Sequence, residues 1–208
     1  MSDSRWNNRA NRIIHAGAGL LAMSLILGGC VSFGTKPPPQ LLTIATGASV
    51  PSGQTMNSQG LPGLIVTMPD VPRTIATTRV PVQVDDTSVA YVKDAQWSEA
   101  PRSLFQRLLS ETITAGGALF VIDEEQYGLK PQRRLSGTLL DFGVDSRTKE
   151  AVVTYDATLT DSSTGQAARR RFTARAPVSD IRADRVAGPI NQAANEVAQQ
   201  IADWVKPG

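Results

Sequence analysis

A single cysteine, Cys30, divides this chain of 208 residues. Ahead of it lies a polar start carrying Arg5, Arg9 and Arg12 against Asp3, followed by the uncharged apolar run AGAGLLAMSLIL at residues 16–27. A positive start, a short apolar run and small residues before a cut are the parts of an export leader, in the right order. Twelve apolar residues fall short of the about 20 that a bilayer-spanning helix needs. We read residues 1–29 as a signal peptide, with Gly28 and Gly29 preceding the cut. With the only thiol at its first position, the mature fold can hold no disulfide and no cysteine-based metal site. Its stability has to come from an apolar core.

The stretch Leu27-Gly28-Gly29-Cys30 resembles the bacterial lipobox, in which the cysteine thiol is the acyl acceptor. A chance cysteine behind an apolar leader, or a short membrane helix, is the bland alternative. The resemblance implies three acyl chains on Cys30. One chain anchors only marginally at about 0.8 kcal/mol per buried methylene, so three would make anchoring effectively permanent. Val31 stands where Asp would favour inner-membrane retention; by analogy with enterobacterial sorting, this points to the outer membrane. Residues 30–40 then form a lipidated N-terminus and tether, stiffened by Pro37-Pro38-Pro39. Residues 41–206 form a domain on the periplasmic side.

The formal net charge of +2 belongs to the leader. Removing Arg5, Arg9, Arg12 and Asp3 from 21 basic and 19 acidic side chains leaves 18 of each. The mature part is neutral and gives no nucleic-acid footprint. Its length is enough to bury a real core.

Periodicity supplies the elements. Leu41–Ala45 reads as a first strand, 47–60 as a loop, and Gly63–Met68 as an apolar strand ending at Pro69. Val80–Val84 alternates and, because of Pro81, reads as an edge strand. Ser88–Lys93 is another strand. Ser98 as N-cap and Pro101 in the first turn open a helix whose Leu104, Phe105, Leu108, Leu109 and Ile113 share a face. Gly116-Gly117 ends it. Ala118–Ile122 reads as a buried strand. Arg133–Phe142, Ala151–Thr160 and Ala167–Ala176 form a meander, with turns at Ser146–Lys149 and Asp161–Gly165. A last amphipathic helix covers 184–205, with Gly188-Pro189 in or near its first turns. The fold class is α+β: an antiparallel sheet, including a C-terminal three-stranded meander, with two main helices on one face.

The search for catalytic chemistry returns little. The only histidine, His15, lies in the leader, which removes His-based triads and most zinc sites from the mature part. No phosphate-cradling GxxxxGK[ST] or dinucleotide GxGxxG pattern is present. The pairs Asp85-Asp86 and Glu124-Glu125 sit at strand ends and read as solvated turns. Asp141 and Asp145 flank a turn and offer at most a weak calcium site. No catalytic, cofactor or metal residue is assigned. Arg169, Arg171 and Arg175 share one face of a strand; that face is either a solvated outer sheet surface or a contact with anionic headgroups or a partner. Arg133-Arg134 opens the neighbouring strand and would extend it. Trp97, just ahead of a helix, reads as core more than as partner surface.

A leader ending in Gly-Gly-Cys30, the stretch Val66–Pro72, Tyr91, Trp97, the helix start Pro101–Leu109, the meander and the C-terminal helix come in one order. Together they resemble the ABC-type transport auxiliary lipoproteins, the PqiC-like family, from Leu41 to Trp204. The resemblance implies a lipid-anchored, non-enzymatic docking part. Its partners would be an MCE-domain protein and the permease and ATPase of an ABC transporter moving phospholipids or other apolar molecules. It implies no cofactor and leaves self-association open. A structural or assembly lipoprotein of the outer membrane is the alternative, and Cys30 is the functional residue that the family pattern transfers.

Overall fold

Residues 40–58, 60–122 and 131–207 are described by a computed structural model, all within the unit Pro38–Gly208. The leader, Cys30, Pro37–Pro39 and Glu124-Glu125 lie outside the described residues. In chain order the elements are β1 (Gly63–Val66), β2 (Arg79–Gln83), β3 (Val89–Gln96), α1 (Pro101–Ala115), β4 (Phe120–Ile122), β5 (Arg133–Asp145), β6 (Glu150–Asp161), β7 (Gln166–Pro177) and α2 (Ala183–Trp204).

The meander β5–β6–β7 is the spine. Gly165, at φ 70°, closes the second hairpin, where the Asp161 carboxylate accepts from the Ser163 N–H at 2.9 Å. The turn pairs Asp161 with Gln166, which sets Asp156 opposite Arg171 with no register break. The other edge of β5 is shared. β1 pairs parallel with its first residues, Leu64↔Arg133 to Val66↔Leu135, and β2 pairs parallel with its last, Val82↔Val144 and Gln83↔Asp145. β4 adds to β1 in parallel and β3 to β2 antiparallel. The fold is α+β with the expected meander, but the sheet is mixed and not antiparallel throughout.

Three local expectations need correcting. β2 is not an edge strand, since it lies between β3 and β5. Pro81 is tolerated because pairing to β5 begins only at Val82, and a bulge between Arg79 and Pro81 interrupts the β3 side. Gly143 completes the fit: a Cβ there would stand 2.3 Å from the Pro81 carbonyl oxygen. Leu41–Ala45 is not a strand but an extended strap touching the sheet at one bridge, Leu42↔Trp97. Ser98 does not cap α1. Its N–H donates to the Leu42 carbonyl at 2.8 Å, and Ala100 holds the cap position without a side-chain bond. Pro101 loses nothing as the first helical residue, where the N–H has no intrahelical acceptor.

Both helices cover one face of the sheet. Val186, Ile190, Ala194, Val197 and Ile201 form the buried stripe of α2, which runs through Pro189 without ending. Trp97, 1% exposed, is core. Aromatic rings run in contact from Trp97 to Phe142 (5.3 Å), Phe142 to Phe105 (6.4 Å) and Phe105 to Tyr155 (5.3 Å). Side chains of this size stabilise by about 1.5–3 kcal/mol each when buried.

Candidate functional site: an anchored strap and a polar sheet face

The strap is where the folded body meets the segment leading back to Cys30. From Leu41 to Val50 exposure alternates residue by residue, with Leu42, Ile44, Thr46, Ala48 and Val50 turned inward. That is the signature of an extended chain packed on one side. Leu42 and Ile44 rest on the core. An extended chain without a strand neighbour leaves backbone groups unpaired, and two asparagines of α2 supply the partners. The Ala45 N–H donates to Asn191 Oδ1 at 2.8 Å and the Gly47 N–H to Asn195 Oδ1 at 2.6 Å. Asn195 Nδ2 donates to the Ala45 carbonyl at 2.9 Å. Four positions apart on a helix, the two side chains stand one above the other and read alternate amides of the strap, Ala45 and Gly47. Farther on, Ser49 and Val50 border a hollow with Ser110, Glu111 and Thr114 of α1.

The opposite face of the sheet is polar. Asp156 is 93% withdrawn from solvent at its side chain, and Arg171 grips it through Nε and Nη2 at 2.5 and 2.6 Å. Arg169 Nη2 adds a third contact at 3.3 Å. The Arg171 guanidinium is the main reason the Asp156 carboxyl is held below the usual carboxylate range. Thr173 and Thr154 hydroxyls meet at 3.2 Å, and Arg175 reaches Glu150 at 3.1 Å. Arg169, Arg171 and Arg175 do share a face, as their spacing predicts, with carboxylates beneath them. Arg133 lies 4.0 Å from Asp161.

The acidic candidates go elsewhere. Asp145 accepts from the Arg147 guanidinium at 3.2 Å, the main reason its pKa is lowered, and from the Arg147 backbone N–H at 2.9 Å. Asp86 takes the same guanidinium at 2.6 Å. Asp85 accepts from the Thr87 N–H at 2.8 Å in the β2–β3 turn, and that bond is the largest cause of its lowered pKa. Asp141 lines a groove of about 280 Å³ on the polar face, over Ile75, Pro81 and Val152. Among the described residues no group of three or more His, Cys, Asp or Glu side chains is placed to hold a metal ion. Likewise, no described helix is long and apolar enough to cross a membrane.

Sequence comparison decides the family. The ABC-type transport auxiliary lipoprotein component family matches residues 43–202. The chain belongs to that family. The match begins inside the strap and ends in α2, so it spans the whole body of the auxiliary lipoprotein. Among curated proteins none matches the sequence. Among solved structures, a Xanthomonas campestris protein of the DUF330 family is similar at 19% identity and a TM-score of 0.69, covering 80% of this chain and 94% of its own. An uncharacterised protein follows at 18% identity and a TM-score of 0.60, covering 70% and 92%. At these identities the likeness is one of fold.

Sequence reading missed three residues of this auxiliary lipoprotein: Asn191, Asn195 and Asp156. For the first two the signal was an N-x-x-x-N spacing beside the apolar stripe of α2, which nothing local distinguishes from a solvated helix face. Asp156 was more accessible: it lies as far before Asp161 as Arg171 lies after Gln166, the pair that closes the turn.

Proposed function

We propose that this auxiliary lipoprotein is a non-enzymatic docking part of an MCE-type ABC transporter that moves phospholipids or other apolar molecules across the envelope. The single observation that carries the reading is the family match over residues 43–202, which takes in the entire folded body and begins within the strap. Cys30 is the lipid attachment site in this proposal, residues 1–29 are removed on export, and the lipid lies in the periplasmic leaflet of the outer membrane. Leu42 stands twelve positions after Cys30. Chain geometry therefore lets the body stand at most about 40 Å from the lipid surface. Confinement to a surface raises the effective concentration of weak contacts with an MCE-domain protein, a permease and an ATPase. Arg169, Arg171 and Arg175 offer charge-assisted donors to such partners or to anionic headgroups.

Two measurements test it. Metabolic labelling with an alkyne fatty acid should mark the wild type and not Cys30→Ser, which should turn up folded in the soluble fraction. Affinity purification of the lipidated protein from detergent-solubilised membranes should bring along an MCE-domain protein or transporter subunit. Recovery of outer-membrane assembly proteins in their place sinks the transport reading and favours the structural one.

A further inference from the structure

The free edges of this sheet are unequally protected. β4 is three residues long. β3 carries a bulge on its β2 side and a left-handed Asp94 at φ 56°, and the strap seals its end at Leu42↔Trp97. Short edges, bulges and covering segments are the usual defences against unwanted strand pairing. Among the described residues, β7 has none of them. It is a 12-residue strand, about 40 Å long at 3.4 Å per residue, paired to β6 without a register break and closed by proline only at its last position. Among the described strands it pairs with β6 alone.

What β7 presents along that edge is positive. Arg169, Arg170, Arg171 and Arg175 all lie on it, and the strand carries no acidic residue. The balancing carboxylates belong to β6 and sit underneath: Asp156 is 7% exposed, against 72% and 62% for the Arg169 and Arg171 side chains that hold it. Among the described residues no carboxylate pairs with Arg170, which lies over the Phe172 ring at 5.0 Å. A second copy of the chain is a poor match for this edge. Laid antiparallel with polar faces together, its near-full registers set Arg169 opposite Arg175, or Arg171 opposite its own copy, and like charges directly opposite destabilise.

We propose that the outer edge of β7 is a strand-addition site for an extended acidic segment of a partner protein. Main-chain hydrogen bonds to the free edge supply affinity, and alternate carboxylates facing Arg169, Arg171 and Arg175 supply register and selectivity. This site follows from the sheet edge and its charge and does not depend on the transport reading.

The test uses the full lipidated protein in neutral detergent, with three synthetic peptides as long as β7. One alternates Val and Glu, one alternates Val and Lys, and one keeps the Glu content but carries interior prolines. Fluorescence anisotropy reads binding, and hydrogen exchange with mass spectrometry reads the amides of residues 166–177. The Val/Glu peptide should bind and slow exchange in that segment, while the Val/Lys and proline peptides should do neither. Arg175→Gln, which removes one of the three facing cations and leaves the Asp156–Arg171 fork intact, should weaken the Val/Glu peptide by about tenfold while leaving the melting temperature nearly unchanged. Equal binding of the proline peptide overturns strand addition, and equal binding of the Val/Lys peptide overturns the charge assignment. The protein on phosphatidylcholine vesicles is then compared with the protein on vesicles containing phosphatidylglycerol. Protection of β7 that arises only with the anionic lipid, and not with peptide, makes the edge a membrane contact and overturns the proposal.

Discussion

Asn195 donates its side-chain N–H to the carbonyl oxygen of Ala45 at 2.9 Å, across 150 positions of chain. One turn of α2 thereby treats the strap as a sheet would treat a neighbouring strand. Its oxygen accepts from Gly47, and its second N–H bond goes to the Asn191 carbonyl at 2.8 Å. Hydrogen bonds of this kind contribute about 0.5–1.5 kcal/mol each, less where water can take over. Asn195→Ala should therefore lower stability by about 1–2 kcal/mol and speed exchange of the Gly47 amide without touching those of β6, while Asn191 still holds the Ala45 N–H. Asn195→Asp keeps an acceptor for Gly47 and loses the donor to Ala45, so it should fall between the two. Unchanged strap exchange in the alanine variant would show that α2 is not what holds it.

The crossing of Tyr155 over Gly137 makes a sharper prediction. A Cβ at Gly137 would stand 2.1 Å from the Asp156 carbonyl oxygen and 2.8 Å from both the ring carbon and hydroxyl of Tyr155. Backbone cannot yield as a flexible side chain does, so Gly137→Ala should destabilise by about 1–3 kcal/mol. Tyr155→Phe should not rescue it, because the backbone contact remains. On its own Tyr155→Phe should be close to neutral: among the described residues the hydroxyl has no hydrogen-bond partner, and removing it relieves a buried polar group. Burial, with a contribution from the Asp70 charge, pushes that hydroxyl above the ordinary tyrosine range. Denaturant melts of the three variants check both statements.

Phe105 is the central link of the aromatic contacts, touching Phe142 on one side and Tyr155 on the other. It is fully buried on α1, where no other ring can take its place. Phe105→Ala should remove about 3–5 kcal/mol, a large part of the 5–15 kcal/mol that holds a typical domain folded. Chemical denaturation should show a lower midpoint with an unchanged slope. An effect under about 1 kcal/mol would mean that the core collapses onto the gap.

Those core residues were legible in the sequence, and the difference between what was and was not legible is physical. Leu104, Phe105, Leu108 and Ile113 repeat at the period of one helix, and a hairpin turn fixes its own register, so α1 and the β6–β7 pairing follow from local pattern. The parallel pairings do not. β1 and β2 each borrow only two or three residues of the β5 edge, and their partners are long-range. Pro81 misled for the same reason: whether proline tolerates a central strand depends on Gly143, more than sixty residues away. The strap was misread as a strand because alternation reports one-sided packing and says nothing about what pairs the backbone. In the polar face, Arg169, Arg171 and Arg175 were visible as a cluster, while the carboxylate that organises two of them sat on the preceding strand.

That carboxylate carries the last prediction. Asp156 receives three contacts from Arg171 and Arg169, chiefly the Arg171 fork, and its pKa is lowered relative to the unfolded chain. A group whose folded pKa is depressed contributes stability above its unfolded pKa of about 3.9, and loses it as pH falls through the lower folded value. Asp145, Asp161 and Asp203 are depressed as well, so the acid limb of the wild type is shared among several carboxylates. The informative quantity is the difference from Asp156→Asn, which preserves shape and removes the charge. The variant should melt several degrees lower near neutral pH, where the wild-type carboxylate is ionised and gripped. Below about pH 4 the two curves should draw together, because the wild type then protonates the same side chain. A melting-temperature difference that stays constant across the whole range would mean that the loss comes from packing, not from the Arg171 ion pair.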